Sequence, residues 1–250
     1  MANNDLIIAQ GVPNRRIPTQ QVDGLPTGLR VTRYGELLAQ FVGGAGFQQS
    51  ADEESYFVAT NATLGTAIVG TTAPTAFSAT VALLTMFNSV VPGTAGAKRI
   101  YPLWLALEVR AAGTNGTSFQ YALNLDTGNR FSSGGTPITP VNPNMDSSLT
   151  SIATMNFGAI TATAANNARR VKHGQIRPVI KVIGDVYLFL FGQPIASGPG
   201  ADIGGTNVQE IPVHCPPVVI GPNQSLVLHE IAPSQSVAAS YEFSMGWLER

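Results

Sequence analysis

Three histidines, His173, His214 and His229, and a single cysteine, Cys215, are the residues best suited to bind a metal or to act as a nucleophile. His214 and Cys215 are adjacent, between Pro212 and Pro216. In an extended chain neighbouring side chains point to opposite faces, so this pair cannot converge on one ion. One cysteine also excludes an intrachain disulfide framework and any multi-cysteine zinc site. Without a positioned base, Cys215 is expected to be a small buried residue rather than a nucleophile. Carboxylates cluster once, at Asp52-Glu53-Glu54, without the alternating oxygen ligands of a calcium loop. That cluster is expected to be a solvated or partner-facing patch. Glycosidase chemistry would need two carboxylates brought together across the fold. No nucleotide-binding, zinc-protease or serine-hydrolase motif is present, so the chain is expected to be no enzyme and to need no cofactor.

Positive charge is less evenly spread. Arg169, Arg170, Lys172, Arg177 and Lys181, with His173, fall in a stretch free of acids between Ser147 and Gly184. In a regular strand Arg170 and Lys172 share one face and Arg169 takes the other. Arg169, Arg170, Lys172 and Arg177 are the candidates for contact with an acidic surface of a neighbouring subunit or with a glycan; an ordinary solvated face is the alternative. The aromatic residues of a nucleic-acid stacking platform are not interleaved here, so no direct nucleic-acid contact is expected.

These residues must be positioned by strands. Tyr56–Ala59, Arg99–Arg110, Ser118–Leu125, Asp185–Phe191 and Ser225–Ile231 are β-rich runs, and Ser151–Phe157, Ala159–Ala164, Arg169–Arg177, Val179–Val182, Ile211–Val213 and Val218–Ile220 are further candidates. From Ala239 to Trp247, apolar residues alternate with Ser240, Glu242, Ser244 and Gly246, which marks a strand with one dry and one polar face. Gly113-Thr114-Asn115-Gly116 predicts a hairpin joining Arg99–Arg110 to Ser118–Leu125. Residues 126–147 and 192–205 read as long loops, the kind that makes contacts. Thr75–Val91 fits strand or helix, with strand favoured by its surroundings. Residues 1–50 are broken by Pro13, Pro18, Pro26 and the run Gly43-Gly44-Ala45-Gly46. They are expected to form an extended N-terminal arm ahead of a single domain at 51–250, because so interrupted a segment buries too little apolar surface to pack alone. Within the arm, Arg15, Arg16, Arg30, Arg33 and Tyr34 are the candidates for partner contact.

Composition points the same way. Only 12% of residues are charged, about half the usual share, while Gly (26) and Pro (17) are well represented. A surface so poor in charge is weakly protected against association, which suits a chain covered by partners. A net charge of −1 argues against nucleic acid or an acidic membrane as partner. The uncharged stretch Thr75–Val91 is too short and too rich in Ser and Thr to cross a bilayer, and residues 1–10 carry no secretory signal.

Arg33-Tyr34-Gly35-Glu36, then Asp52-Glu53-Glu54-Ser55-Tyr56-Phe57-Val58-Ala59-Thr60-Asn61 with Gly65-Thr66, Lys98-Arg99-Ile100-Tyr101 and Ala111-Ala112-Gly113-Thr114, resemble virion proteins of tailed bacteriophages. The resemblance covers the first half of the chain. It implies a cement protein of jelly-roll type: an all-β, jelly-roll-like β-sandwich with an extended N-terminal arm. By the same resemblance it forms a homotrimer, decorates and stabilises the capsid exterior against the major capsid protein, and is made in the host cytoplasm. A second expectation is a tail-associated, receptor-binding jelly roll that recognises a host surface glycan.

Overall fold

The computed structural model describes residues 50–61, 63, 65–114, 118–178, 181–192, 209–233 and 235–250, with the backbone of Arg30–Val31 and Leu37–Leu38. The chain divides into two units, Met1–Gln49 and Ser50–Arg250. In the first, β1 (Arg30–Val31) pairs antiparallel with β2 (Leu37–Leu38). Arg30 therefore lies in a short strand; Arg15, Arg16, Arg33, Tyr34 and the expected extended arm lie outside the described residues.

The second unit is all-β. Its strands are β3 (Tyr56–Thr60), β4 (Ile68–Val69), β5 (Val81–Asn88), β6 (Ile100–Ala111), β7 (Phe119–Thr127), β8 (Phe131–Ile138), β9 (Ala153–Ala162), β10 (Arg169–Arg177), β11 (Val186–Phe191), β12 (Glu210–Cys215), β13 (Gln224–Ile231) and β14 (Ser240–Glu249). One sheet runs β10-β7-β13-β5-β9-β8 and is antiparallel throughout. The other runs β12-β11-β6-β14-β3, with β4 also on β14, and only β11 and β12 are parallel.

The sheets share one core. Phe119 and Tyr121 of β7 meet Tyr187 and Phe189 of β11 at 4.9 and 5.2 Å between ring centroids, and Phe157 of β9 meets Phe243 of β14 at 4.9 Å. Each such fully buried side chain contributes about 1.5–3 kcal/mol by leaving water, and edge or offset ring packing adds to that. The alternation read in Ala239–Trp247 is realised: Tyr241, Phe243, Met245 and Trp247 are buried.

Several sequence expectations are corrected. Arg99–Arg110 and Ser118–Leu125 are both strands but do not form a hairpin, since β6 and β7 belong to different sheets. The turn-like Gly113 serves a tight crossing instead. Its φ is +75°, Thr114 bridges to Val237, and a Cβ on Gly113 would lie 2.3 Å from the Val237 carbonyl oxygen. Ser151–Phe157 and Ala159–Ala164 are one strand, β9, which continues through Gly158 because glycine alone tolerates its φ of +112°. Residues 126–147 are not all loop, since β8 runs through them. As an edge strand with most of its side chains exposed, β8 needs no apolar alternation. Thr75–Val91 resolves as strand from Val81 to Asn88. Lys181–Val182 and Val218–Val219 are not strand, and Ile220 makes only an isolated bridge to Ile100.

Candidate functional site

The basic residues Arg169, Arg170, Lys172 and Arg177 occupy β10, at one edge of the first sheet, where β7 is the only strand partner among the described residues. Charged side chains on such an edge obstruct pairing with a foreign strand. The expected face assignment fails because β10 carries an irregularity between Arg170 and Lys172: Arg170 pairs with Asn124 and Lys172 with Leu123. The extra residue, Val171, breaks the two-residue period. Arg170 thus shares the outer face with Asn124, while Lys172 takes the side of Leu123, a core residue. Lys172 is close enough for its charge to act on the Cys215 thiol.

The stretch is also divided by pairing. Arg177 grips Asp185 with two nitrogens, at 2.5 and 2.6 Å, and Tyr187 donates to the same carboxylate at 3.2 Å. Its charge is engaged inside the fold. Lys181 forms a buried ion pair with Glu230, whose second oxygen accepts from Tyr241 at 3.0 Å, and its ammonium lies 4.5 Å from the Phe119 ring centre. Arg170 is held differently, its guanidinium 4.4 Å above the half-exposed Phe77 ring. Phe77 in turn sits edge-on to His229 at 5.1 Å. His229 Nδ1 donates to the Val81 carbonyl at 2.7 Å, and the Ser78 backbone also lies against the buried ring. Burial holds this imidazole below the usual histidine range.

A second surface is built by residues 139–152, beside β3. Val141 exchanges backbone hydrogen bonds with Val58 at 2.8 and 2.9 Å. Asn142 donates to the Glu54 carbonyl, and Ser147 donates to the Glu54 carboxylate, both at 2.9 Å. Asn144 Oδ1 accepts from the Asp146 backbone, and the Ser147 N–H closes the turn onto the Asn144 carbonyl. Farther on, Glu249 accepts from Ser151, from the Ile152 backbone and from Trp247. This pinned loop presents Met145 at 94% exposure, Val141 at 51% and Leu149 at 43%. The Asp52-Glu53-Glu54 patch therefore matches the expected solvated patch at two of its three residues. Asp52 and Glu53 face solvent, whereas Glu54 anchors the loop.

The remaining chemical candidates separate. His214 and Cys215 end β12; Cys215 joins the core while His214 stays only partly buried. Burial pushes the thiol up to about 11, so it is protonated and unreactive at neutral pH. The sequence gives no sign of one arrangement that the register creates: Glu108 of β6 stands opposite Glu242 of β14 in a cleft of about 570 Å³. Arg110 bridges both carboxylates, at 3.1 and 2.9 Å. The guanidinium offsets their repulsion and ties β6 to β14, lying against one oxygen of each carboxylate. Among the described residues no cluster of three His, Cys, Asp or Glu side chains is placed to hold a metal. Among the described residues no helix is long and apolar enough to cross a membrane. No family model, curated protein or solved structure matches the chain.

Proposed function

We propose that this chain is a structural virion protein of a tailed bacteriophage, a cement protein that decorates the capsid exterior as an oligomer and is not an enzyme. The observation that carries the reading is the pinned loop at 139–152. Apolar side chains held out on a mobile loop would lose their contact energy to ordering; here the hydrogen bonds from Asn142, Asn144 and Ser147 have already ordered them. A rigid apolar protrusion on a charge-poor chain suits burial against a partner. The partners in this reading are two further copies of the chain and the major capsid protein, with residues 1–50 as an arm over adjacent subunits.

The jelly-roll-like reading of the fold draws on the pairing pattern. β8 pairs with β9, β7 with β10, β6 with β11 and β5 with β13, so the chain folds back on itself in nested antiparallel pairs, as a rolled hairpin ribbon does. The β8–β9 pair departs from a regular roll by joining the first sheet beside β5.

The test is to add purified chain to capsids lacking it and to measure binding alongside oligomeric state by light scattering. Met145→Asp with Leu149→Asp is expected to leave a folded monomer that no longer binds capsids. Full binding and unchanged assembly in that variant would overturn the reading, and a matched Val91→Asp change controls for added charge at another exposed apolar site.

A further inference from the structure

On the outer face of the first sheet, away from the 139–152 loop, lies a cleft of about 420 Å³. Its floor is Ala122 of β7, too small to fill it, with the backbone of Gly174 of β10 beside it. The register puts the rest in place. His173 pairs with Ala122 and Gln175 with Gln120, so these side chains share the outer face with Arg170. The segment Thr75-Ala76-Phe77 forms the opposite wall.

The donors in this cleft are largely uncommitted. Arg170 is fixed by its stacking on Phe77, yet its guanidinium makes no hydrogen bond or ion pair among the described residues. His173 and Gln175 likewise have no hydrogen-bond partner among them, and Gln120 has one, to the Ser118 hydroxyl at 3.2 Å. No carboxylate among the described residues lines the cleft. The acids of neighbouring strands are taken: Asp126 is held by Arg130, and Glu230 points to the core side and pairs with Lys181. Stacking on an aromatic ring pre-orders a guanidinium, whose planar fork matches a carboxylate or a phosphate. Two primary amides beside it offer donors and acceptors at once, the pairing that vicinal hydroxyls require. The volume is at the small end for ligand sites and suits a ring of sugar size.

We propose that this cleft binds an acidic saccharide, with Arg170 taking the anionic substituent and Gln120 and Gln175 taking ring hydroxyls. The charge is a carboxylate or a phosphate carried on a sugar, and the experiment separates the two. The role is independent of capsid binding, since the cleft lies at the β10 edge of the first sheet while the 139–152 loop follows β8 at the other edge.

The measurement is a titration of the isotope-labelled full chain with methyl glucuronide, glucose 6-phosphate, methyl glucoside, acetate and inorganic phosphate at constant ionic strength, following amide resonances by NMR. The expected result is saturable shifts at Gln120, His173 and Gln175 with one or both acidic sugars, and weaker binding of the neutral sugar and of the free anions. The glucuronide alone would identify a carboxylate ligand, and glucose 6-phosphate alone a phosphate ligand. Arg170→Ala should weaken binding about tenfold or more, Gln175→Leu by a smaller factor, and Arg169→Ala not at all. The proposal fails if neither acidic sugar saturates the cleft. It also fails if the free anions or the neutral glucoside bind as well as the acidic sugars, or if Arg169→Ala weakens binding as much as Arg170→Ala. Gln175→Leu keeps the test decisive should Arg170→Ala perturb the fold.

Discussion

Two sets of charges in this molecule contrast sharply. Between the sheets and at their ends, Lys181–Glu230, Arg177–Asp185 and Arg130–Asp126 are ion pairs with nearly every member buried. On the β10 edge, Arg169, Arg170 and His173 face solvent. A chain with 12% charged residues thus commits several of them to the interior, where they fix geometry, and leaves a few on an edge, where they can meet partners. Burial decides which role a charge takes. Inside, an ion pair must be complete, because an unpaired buried charge is costly; outside, water does the pairing.

The largest effect should come from breaking an interior pair. Lys181→Met alone leaves Glu230 buried with only the Tyr241 hydroxyl, and urea unfolding is expected to show a loss of about 3–5 kcal/mol. Lys181→Met with Glu230→Leu should recover most of that loss, because no charge then remains in the core. A single variant as stable as the parent would erase the distinction between the two sets.

Acid provides the next test. Burial works to raise the Asp126 carboxyl, but N–H groups of Asn167, Asn166 and Thr127 and the Arg130 guanidinium outweigh it and hold it below the usual range. A group depressed in the folded state stabilises the fold above its unfolded value, near 3.9, and that contribution is lost as pH falls through the folded value. His229 adds a milder decline that begins higher. Its folded imidazole resists protonation while the unfolded one takes a proton below about 6.5, so stability falls as pH drops from there. Asp126→Asn should flatten the acid limb and His229→Gln the shallower one, both read from melting temperature against pH.

The smallest effect is expected on the edge. Arg170→Ala removes one cation–π contact and should cost no more than about 1 kcal/mol of stability, with Arg169→Ala nearer zero. A large loss in either would mean that the edge charges are structural as well, and would sharpen the contrast out of existence.

Legibility followed the same division. β14 was readable because one face is dry and the other wet, which writes a two-residue period into the residues themselves. β10 was readable as a strand over its full length, yet the bulge at Val171 reversed the face of Lys172, and a bulge leaves no periodic mark. β8 has the local sequence of a loop, because an exposed edge strand has no buried face to enforce a pattern. Glu108 facing Glu242, and Lys181 reaching Glu230, join residues far apart along the chain.

By itself, then, the sequence determined the β class, the positions of most strands, the poverty of charge, and the separation of His214 from Cys215. All of these follow from local residue type and short-range period. Tertiary structure alone decided which strands share a sheet, which basic residues are engaged by acids, and that Arg170, His173, Gln120 and Gln175 open on one cleft. Those outcomes depend on strand order and register, and register is set by long-range packing in which a shift of one residue turns every side chain to the other face.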